Sequence, residues 1–241
     1  MTLSVVRQAP VAISPYDFGV TAGPLELNTS AGLSMADRAY AVIKDRLIML
    51  DIRPNDPIDD TALAQELGFG RTPVREALKR LESDRLVVAY PRRGTFATGV
   101  DIADLAGISE IRVQLEPLAA RRAAERASRA TRNELSELAA TIEALNIAAI
   151  DRTELMRWDM TVHQAIYHAA GNQHLEDVLI RYDNLATRIF CLFLDLLPHV
   201  DAHVGEHIEL LRTIADGQVE RAEELARVHV IGFEQAIRDA I

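Results

Sequence analysis

The chain has 241 residues, with 26 Lys and Arg against 36 Asp and Glu and a formal net charge of −10. So acidic a balance excludes a diffuse nucleic-acid binder, and the length accommodates two compact domains. No window approaches the ~18 apolar residues of a membrane span. The chain start lacks the charged segment and apolar run of a secretory signal. The single cysteine, Cys191, sits in an apolar stretch and has no intrachain partner, which fits a reduced thiol in a cytoplasmic protein.

Residues 1–34 contain Pro10, Pro15, Pro24, Gly19, Gly23 and Gly32 without a sustained period, and read as a flexible arm. Ala39, Val42, Ile43, Leu47 and Leu50 then form an apolar stripe with Ser34 as its cap, which predicts a helix over 35–50. Asp59-Asp60-Thr61 caps a short second helix carrying Leu63, Ala64 and Leu67, and Gly68-Phe69-Gly70 supplies the tight turn of a helix-turn-helix. In the third helix Thr72 is read as N-cap and Pro73 as the first helical residue. Val74, Ala77, Leu78 and Leu81 face inward there, while Arg71, Arg75, Lys79 and Arg80 present a basic face. Leu86 to Tyr90 and Thr95 to Thr98 read as two short strands joined by the basic turn Pro91-Arg92-Arg93-Gly94.

A basic helix followed by a basic hairpin is what a DNA-reading winged helix requires: the helix enters the major groove and the hairpin tip reaches adjacent backbone or minor groove. Between Arg71 and Arg93 seven Lys and Arg face three Asp and Glu, whereas residues 101–241 hold 14 basic and 24 acidic residues. A small basic patch on an acidic body engages phosphates locally and weakens with salt. The expected organisation is an arm (1–34), a winged helix-turn-helix with a small β-hairpin wing (35–99) and an all-α bundle (100–241). The fold class is mainly α.

The bundle is expected as consecutive helices. The first, over 102–128, is capped by Asp101 and kinked or divided by Pro117. The next opens on a Thr131/Glu134 capping box. Further helices span 153–170, 174–197 (capped by Asn172), 201–216 and 218–241, with stops at Gly171, Pro198 and Gly217. Asp159 and His163 lie four apart on one helix and therefore face the same way. His207 and His229 lie on the last two helices, where they can converge with Asp159 and His163. One carboxylate and three imidazoles suit a divalent ion such as zinc, nickel or manganese.

Two groups of motifs carry a resemblance. The run LAQELGFGRTPVREALKRLESDRLV is similar to the winged helix of the GntR family of bacterial transcription regulators. The segments EIRVQLEPLAARRAA, DMTVH, GNQHL, EHIELL and RVH resemble the effector-binding domain of the FadR subfamily. The resemblance spans residues 37–238. It implies DNA contacts by Arg71, Thr72, Arg75 and the wing glycine Gly94, to which the charge pattern adds Lys79 and Arg93. It implies metal ligation by Asp159, His163, His207 and His229, in that order along the chain. It also implies that Arg112 meets an effector carboxylate. Thr61 and Gly70 depart from the family pattern, which puts individual operator contacts in doubt but not the fold. His199 and His203, eight and four residues before His207, are read as rim or surface residues, with the spacing of four leaving open that His203 takes the place of His207 on the metal.

The expected function is a DNA-binding regulator, in the repressor sense, acting as a homodimer on a palindromic double-stranded operator and controlled by a small carboxylate bound at the metal. The alternatives are a direct metal sensor, an acyl thioester-responsive regulator with an apolar pocket, and a metalloenzyme fused to a DNA module. A catalyst would need a positioned acid or base besides the metal. Glu116 and Glu206 are the nearby candidates and both have simple structural readings, so the chain is read as a non-enzyme.

Overall fold

A computed structural model describes residues 33–240, and the arm expected over 1–34 lies almost wholly outside them. Helix α1 (Met35–Ile48) opens on a capping box: the Ser34 hydroxyl accepts from the Asp37 amide at 3.1 Å, and Asp37 accepts from the Ser34 amide at 3.2 Å. Helix α2 (Asp60–Leu67) is capped by Asp59, whose carboxylate accepts from the Thr61 and Ala62 amides. It ends on Gly68 at φ +69, a left-handed position that strains any other residue. Helix α3 (Arg71–Ser83) buries Val74, Ala77, Leu78 and Leu81, as expected from their spacing.

The start of α3 corrects one expectation. Gly70, extended at φ −72 and ψ 158, is the N-cap, and no side chain caps the first turn. Thr72 is therefore inside the helix rather than at its cap. Pro73 is its third residue, where a missing N–H still costs nothing because first-turn amides have no intrahelical acceptor.

The wing consists of β2 (Val87–Tyr90) and β3 (Gly94–Ala97), paired antiparallel from Val87↔Ala97 to Tyr90↔Gly94. A third strand, β1 (Pro57–Ile58), pairs with the other edge of β3, so the order is β1-β3-β2. Two residues are too few for an alternating pattern, which is why β1 escaped the sequence reading.

Among the described residues the remaining helices are α4 (Asp104–Arg126), α5 (Arg129–Ala144), α6 (Arg152–Ala169), α7 (Gln173–Phe193), α8 (Val200–Ala215) and α9 (Val219–Asp239), with a 3-10 turn at Ile147–Ala149. Local chemistry moved several boundaries. Asp101 closes a turn onto the Ala103 amide, and α4 begins three residues after it. Ser128, not Thr131, caps α5 by accepting from the Thr131 amide at 3.1 Å. Helix α4 runs through Pro117 undivided. Asn172 caps α7 as expected, and Gly171 and Gly217 take the left-handed stop conformation. No described helix is long and apolar enough to cross a membrane.

One continuous apolar cluster joins winged-helix residues such as Ile43, Leu47, Leu81 and Leu86 to bundle residues such as Trp158, Phe190, Leu211 and Phe233. Two arginines fasten the junction. Arg157 of α6 forks onto Asp45 of α1 at 3.1 and 3.0 Å. Arg188 of α7 is buried and donates to the Leu47 carbonyl at 3.1 Å, the Thr98 hydroxyl at 2.6 Å and the Thr98 carbonyl at 2.9 Å. It thus holds both the end of α1 and the exit of the wing.

Because Arg188 satisfies three oxygens at once, Arg188→Ala is expected to lower unfolding free energy by about 2–4 kcal/mol, most of it from stranding polar groups at a buried junction. Urea denaturation measures it. A loss below about 0.5 kcal/mol, the size of an ordinary surface substitution, would mean that solvent replaces the arginine there.

Candidate metal centre and nucleic-acid interface

Helix α3 places Arg71, Thr72, Arg75 and Lys79 in solvent, and the wing turn does the same for Arg93 and Gly94. Arg75, Lys79, Gly94 and Thr95 line one groove of about 450 Å³ between α3 and the wing. Gly94, at φ +94, closes the turn, and the Arg93 guanidinium lies over the Tyr90 ring at 5.8 Å. Arg71 and Arg75 both reach Asp60 at the first position of α2, Arg71 at 3.3 Å and Arg75 through its Nε. The Arg75 hydrogen bond holds the Asp60 carboxyl below the usual carboxylate range. Arg80 turns away from this face, pairing with Asp37 at 2.7 Å and lying 4.1 Å from the Tyr40 ring centroid. It braces α3 against α1.

In the bundle, α6 supplies Asp159 and His163 one turn apart, α8 supplies His207 and α9 supplies His229. One ligand atom from each lies within 4.8 Å of the others, and all four residues are buried. Both Asp159 oxygens and both His207 nitrogens are buried with no hydrogen-bond partner. His207 Nε2 is 3.7 Å and His163 Nε2 3.9 Å from Asp159 Oδ1, while His229 Nε2 is 3.3 Å from His163 Nε2. A carboxylate with neither oxygen satisfied is expensive in an apolar interior. An ion at the convergence of these atoms removes that cost, so the residues fit a divalent metal.

Carboxylates behind the imidazoles set their orientation. His163 Nδ1 lies 3.0 Å from Glu116 Oε2, and His229 Nδ1 lies 2.9 Å from Glu206 Oε2. Each outer carboxylate takes the Nδ1 side and leaves Nε2 facing inward, the arrangement that second-shell groups impose on metal-binding histidines. Burial pushes the Asp159 carboxyl up to about 7 against the pull of His163. Burial also drives His163 toward neutrality, but Glu116, Asp159 and Asp183 outweigh it and hold its pKa up at about 9. For His207 and His229, burial first and neighbouring imidazoles second keep the rings well below the ordinary histidine range, neutral and with a lone pair to offer.

Arg112 is not an open cation. It is buried, its Nε donates to Glu116 and its Nη2 lies 3.2 Å from Asp183, with the guanidinium 5.1 Å from the Phe233 ring. Two of its five N–H donors are engaged, and Glu116 links it directly to His163. His199 is exposed at the start of α8, as expected of a surface residue. His203 is not: its side chain is only 12% exposed and its Nε2 lies 3.6 Å from Asp159 Oδ1. The sequence placed His203 on the rim while its spacing of four from His207 left open which of the two faces Asp159; the structure brings both to it, at 3.6 and 3.7 Å.

A helix-turn-helix with a basic recognition helix and a wing, mounted on a helical bundle with a buried Asp/His group, defines a two-part DNA-binding regulator. The chain belongs to the GntR family of bacterial regulatory proteins, matching it over residues 35–97, and carries an FCD domain over residues 107–232. It is 28% identical over 197 residues to the HTH-type transcriptional regulator YdhC of Bacillus subtilis (strain 168), covering 81% of this chain and 78% of that one. It is 22% identical over 202 residues to the HTH-type transcriptional repressor RspR of Escherichia coli (strain K12), covering 83% and 87%. Among solved structures, E. coli McbR/YncC shares the fold with a TM-score of 0.75 at 20% identity, over 86% of this chain and 98% of that chain. Family and relatives are transcription regulators, not enzymes.

Purified protein is expected to carry about one divalent transition metal per chain, as a set of four protein donors implies. His163→Ala, His207→Ala and His229→Ala should each lower occupancy, whereas the exposed His168, His174 and His199 should be replaceable by alanine without loss. Elemental analysis of the six variants decides it, and full occupancy in the first three would remove the site.

Proposed function

We propose that this regulator acts as a homodimeric repressor, and that a small carboxylate bound at a metal held by Asp159, His163, His207 and His229 sets its operator affinity. The observation that carries the reading is the Asp159 carboxylate, buried among imidazoles with both oxygens unpartnered. One oxygen and three nitrogens suit zinc first, with nickel or manganese as substitutes. The metal supplies a Lewis-acidic centre for an anion. Glu116 and Glu206 orient His163 and His229, and Arg112 offers its remaining donors to the effector. The E. coli relative RspR is a transcriptional repressor, which supports the sign of regulation. A two-fold dimer matches a palindromic operator, with one winged helix on each half-site.

DNA contact is assigned to Arg71, Thr72, Arg75 and Lys79 on α3 and to Arg93 and Gly94 on the wing. Arg71→Ala and Arg75→Ala should each weaken binding to an operator selected from a random library. The expected loss is on the order of 1–3 kcal/mol where the contact is bidentate to a base. Lys79→Ala should act uniformly on all sequences and lower the salt dependence by about one counterion, as a phosphate contact does. Wild-type binding by both arginine variants would overturn the assignment.

Effector control is tested by fluorescence anisotropy of operator DNA against hydroxy, keto and dicarboxylic acids, their amides, and long-chain acyl thioesters. Acids should change operator affinity and amides should not. Arg112→Lys should blunt the response while keeping metal and DNA binding. Lysine retains the charge facing Glu116 and Asp183 but loses the bidentate fork. A response confined to acyl thioesters and indifferent to metal removal would replace this reading with an apolar-ligand pocket.

A further inference from the structure

Lys44 stands on the inner face of α1 beside Val42, Ile43 and Leu47, only 7% exposed, and lysines are seldom so buried unless paired. Its ammonium has no hydrogen bond or ion pair with any described residue and lies over the Tyr40 ring at 5.6 Å. The carboxylates whose charge reaches it are held by other groups. Asp84 accepts from the Tyr40 hydroxyl at 2.8 Å, Asp45 from Arg157 at 3.0 Å, and Asp183 pairs with Arg112 at 3.2 Å. Burial, the largest influence, pulls the amine below the ordinary lysine range.

Lys44 lines a cleft of about 890 Å³ walled by α1 and α3 on one side and by α5, α6 and α7 on the other. Small-molecule sites have this size and favour such junctions between domains. Two further groups on its wall lack partners. Asn184, 1% exposed, has an unbonded Oδ1, and Arg181, one turn before it on α7, has an unbonded Nε. Buried polar groups left unpaired in this way call for a partner from outside the chain. Other charges on the wall are already engaged, Arg80 with Asp37 at 2.7 Å and Glu176 with His168 at 3.3 Å. Toward the mouth the sign reverses: Glu134, Glu137 and Asp177 are exposed and carry no ion pair with a described residue. Asp177 precedes Asn184 by two turns of α7, about 10 Å along the axis. Leu135, Leu138 and Ile180 supply apolar wall in the same cleft.

We propose that this cleft is a second small-molecule site, and that it takes a dipeptide-like zwitterion. The carboxylate accepts from Lys44 and Arg181 at the inner end, and the neighbouring amide N–H donates to Asn184 Oδ1. The ammonium faces Glu134, Glu137 and Asp177 at the mouth, and apolar side chains lie on Leu135, Leu138 and Ile180. An extended dipeptide spans about 7 Å, which suits charged ends of opposite sign on side chains that reach into the cleft. A simple anion leaves Asn184 unanswered and meets three carboxylates on entry. The site shares no residue with the metal centre, so it stands independently of the metal reading. Its occupant touches α1 and α3 as well as the bundle.

The test is isothermal titration calorimetry of the full-length chain with alanyl-leucine, its C-terminal amide, its N-acetyl derivative and free leucine. Amidation should weaken binding about tenfold or more, because it removes charge-assisted bonds in a buried setting. Acetylation should weaken it only about two- to fivefold, because the carboxylates at the mouth are exposed and screened. Leucine, too short to reach the mouth, should bind no better than the acetylated dipeptide. Lys44→Met replaces an unpaired buried cation with an apolar side chain of similar shape, which favours folding, and circular dichroism checks it. That variant should bind alanyl-leucine as weakly as the wild type binds the amide. Binding should survive treatment with a chelator. No binding of alanyl-leucine at millimolar concentration, equal affinity for the amide, or unchanged affinity in Lys44→Met would each overturn the proposal. Binding lost on chelation and kept in Lys44→Met would also overturn it, by moving the carboxylate to the metal centre.

Discussion

A carboxylate cannot remain charged in the middle of a helical bundle without something to neutralise it, and Asp159 is such a carboxylate. Its oxygens lack hydrogen bonds, and burial lifts its pKa to about 7. The surrounding residues are arranged around that constraint. Histidines from α6, α8 and α9 bring Nε2 atoms toward it, and Glu116 and Glu206 stand behind them on the Nδ1 side. Arg112 in turn offsets Glu116 and Asp183, so the charge of each outer carboxylate is answered further out. Buried polar groups of this density are stable only when every member has a partner, because a half-satisfied network costs more than an apolar core.

The same helices that bear this centre also hold the winged helix. Asp159 and Arg157 are two residues apart on α6, and Arg157 forks onto Asp45 of α1. Asp183 and Arg188 are five apart on α7. The first pairs with Arg112 beside the centre, and the second ties down the end of α1 and the wing exit. A shift of α6 or α7 at the centre is thus a shift at the base of the DNA-reading unit. Side chains that bridge packed elements carry coupling between sites only if both ends respond to the same two arrangements, and α6 and α7 meet the geometric half of that condition.

Much of this was legible in the chain. The α1 capping box, the Asp59 cap and the helix-turn-helix spacing all follow from local hydrogen-bonding chemistry that few alternatives satisfy. The Asp159/His163 pair follows from helical periodicity alone. The misses share a cause. Thr72 and Thr131 were good cap residues by type, but Gly70 and Ser128 lay within one turn, and the backbone conformation of the preceding residue decides between such neighbours. Strand β1 pairs with residues almost forty positions later, so nothing local announces it. His199, His203 and His207 form one series on one helix, and only packing against α6 and α9 separates the exposed member from the inward ones. The outer carboxylates Glu116 and Glu206 could be recognised as such only once the histidines they orient had positions.

The apolar cluster that runs unbroken from α1 through the wing base into α9 has a thermodynamic corollary. A unit that shares its core with another does not melt alone, so the winged helix draws its persistence partly from the bundle. Any solute that associates with the folded bundle and not with the unfolded chain raises the population of intact winged helix by mass action, whether or not it moves a single helix. Conversely, a cavity opened around Trp158 or Phe233 thins the supply of DNA-competent protein although neither residue lies anywhere near the DNA-facing surface. In such a molecule, occupancy of an operator reports on folding as well as on signalling.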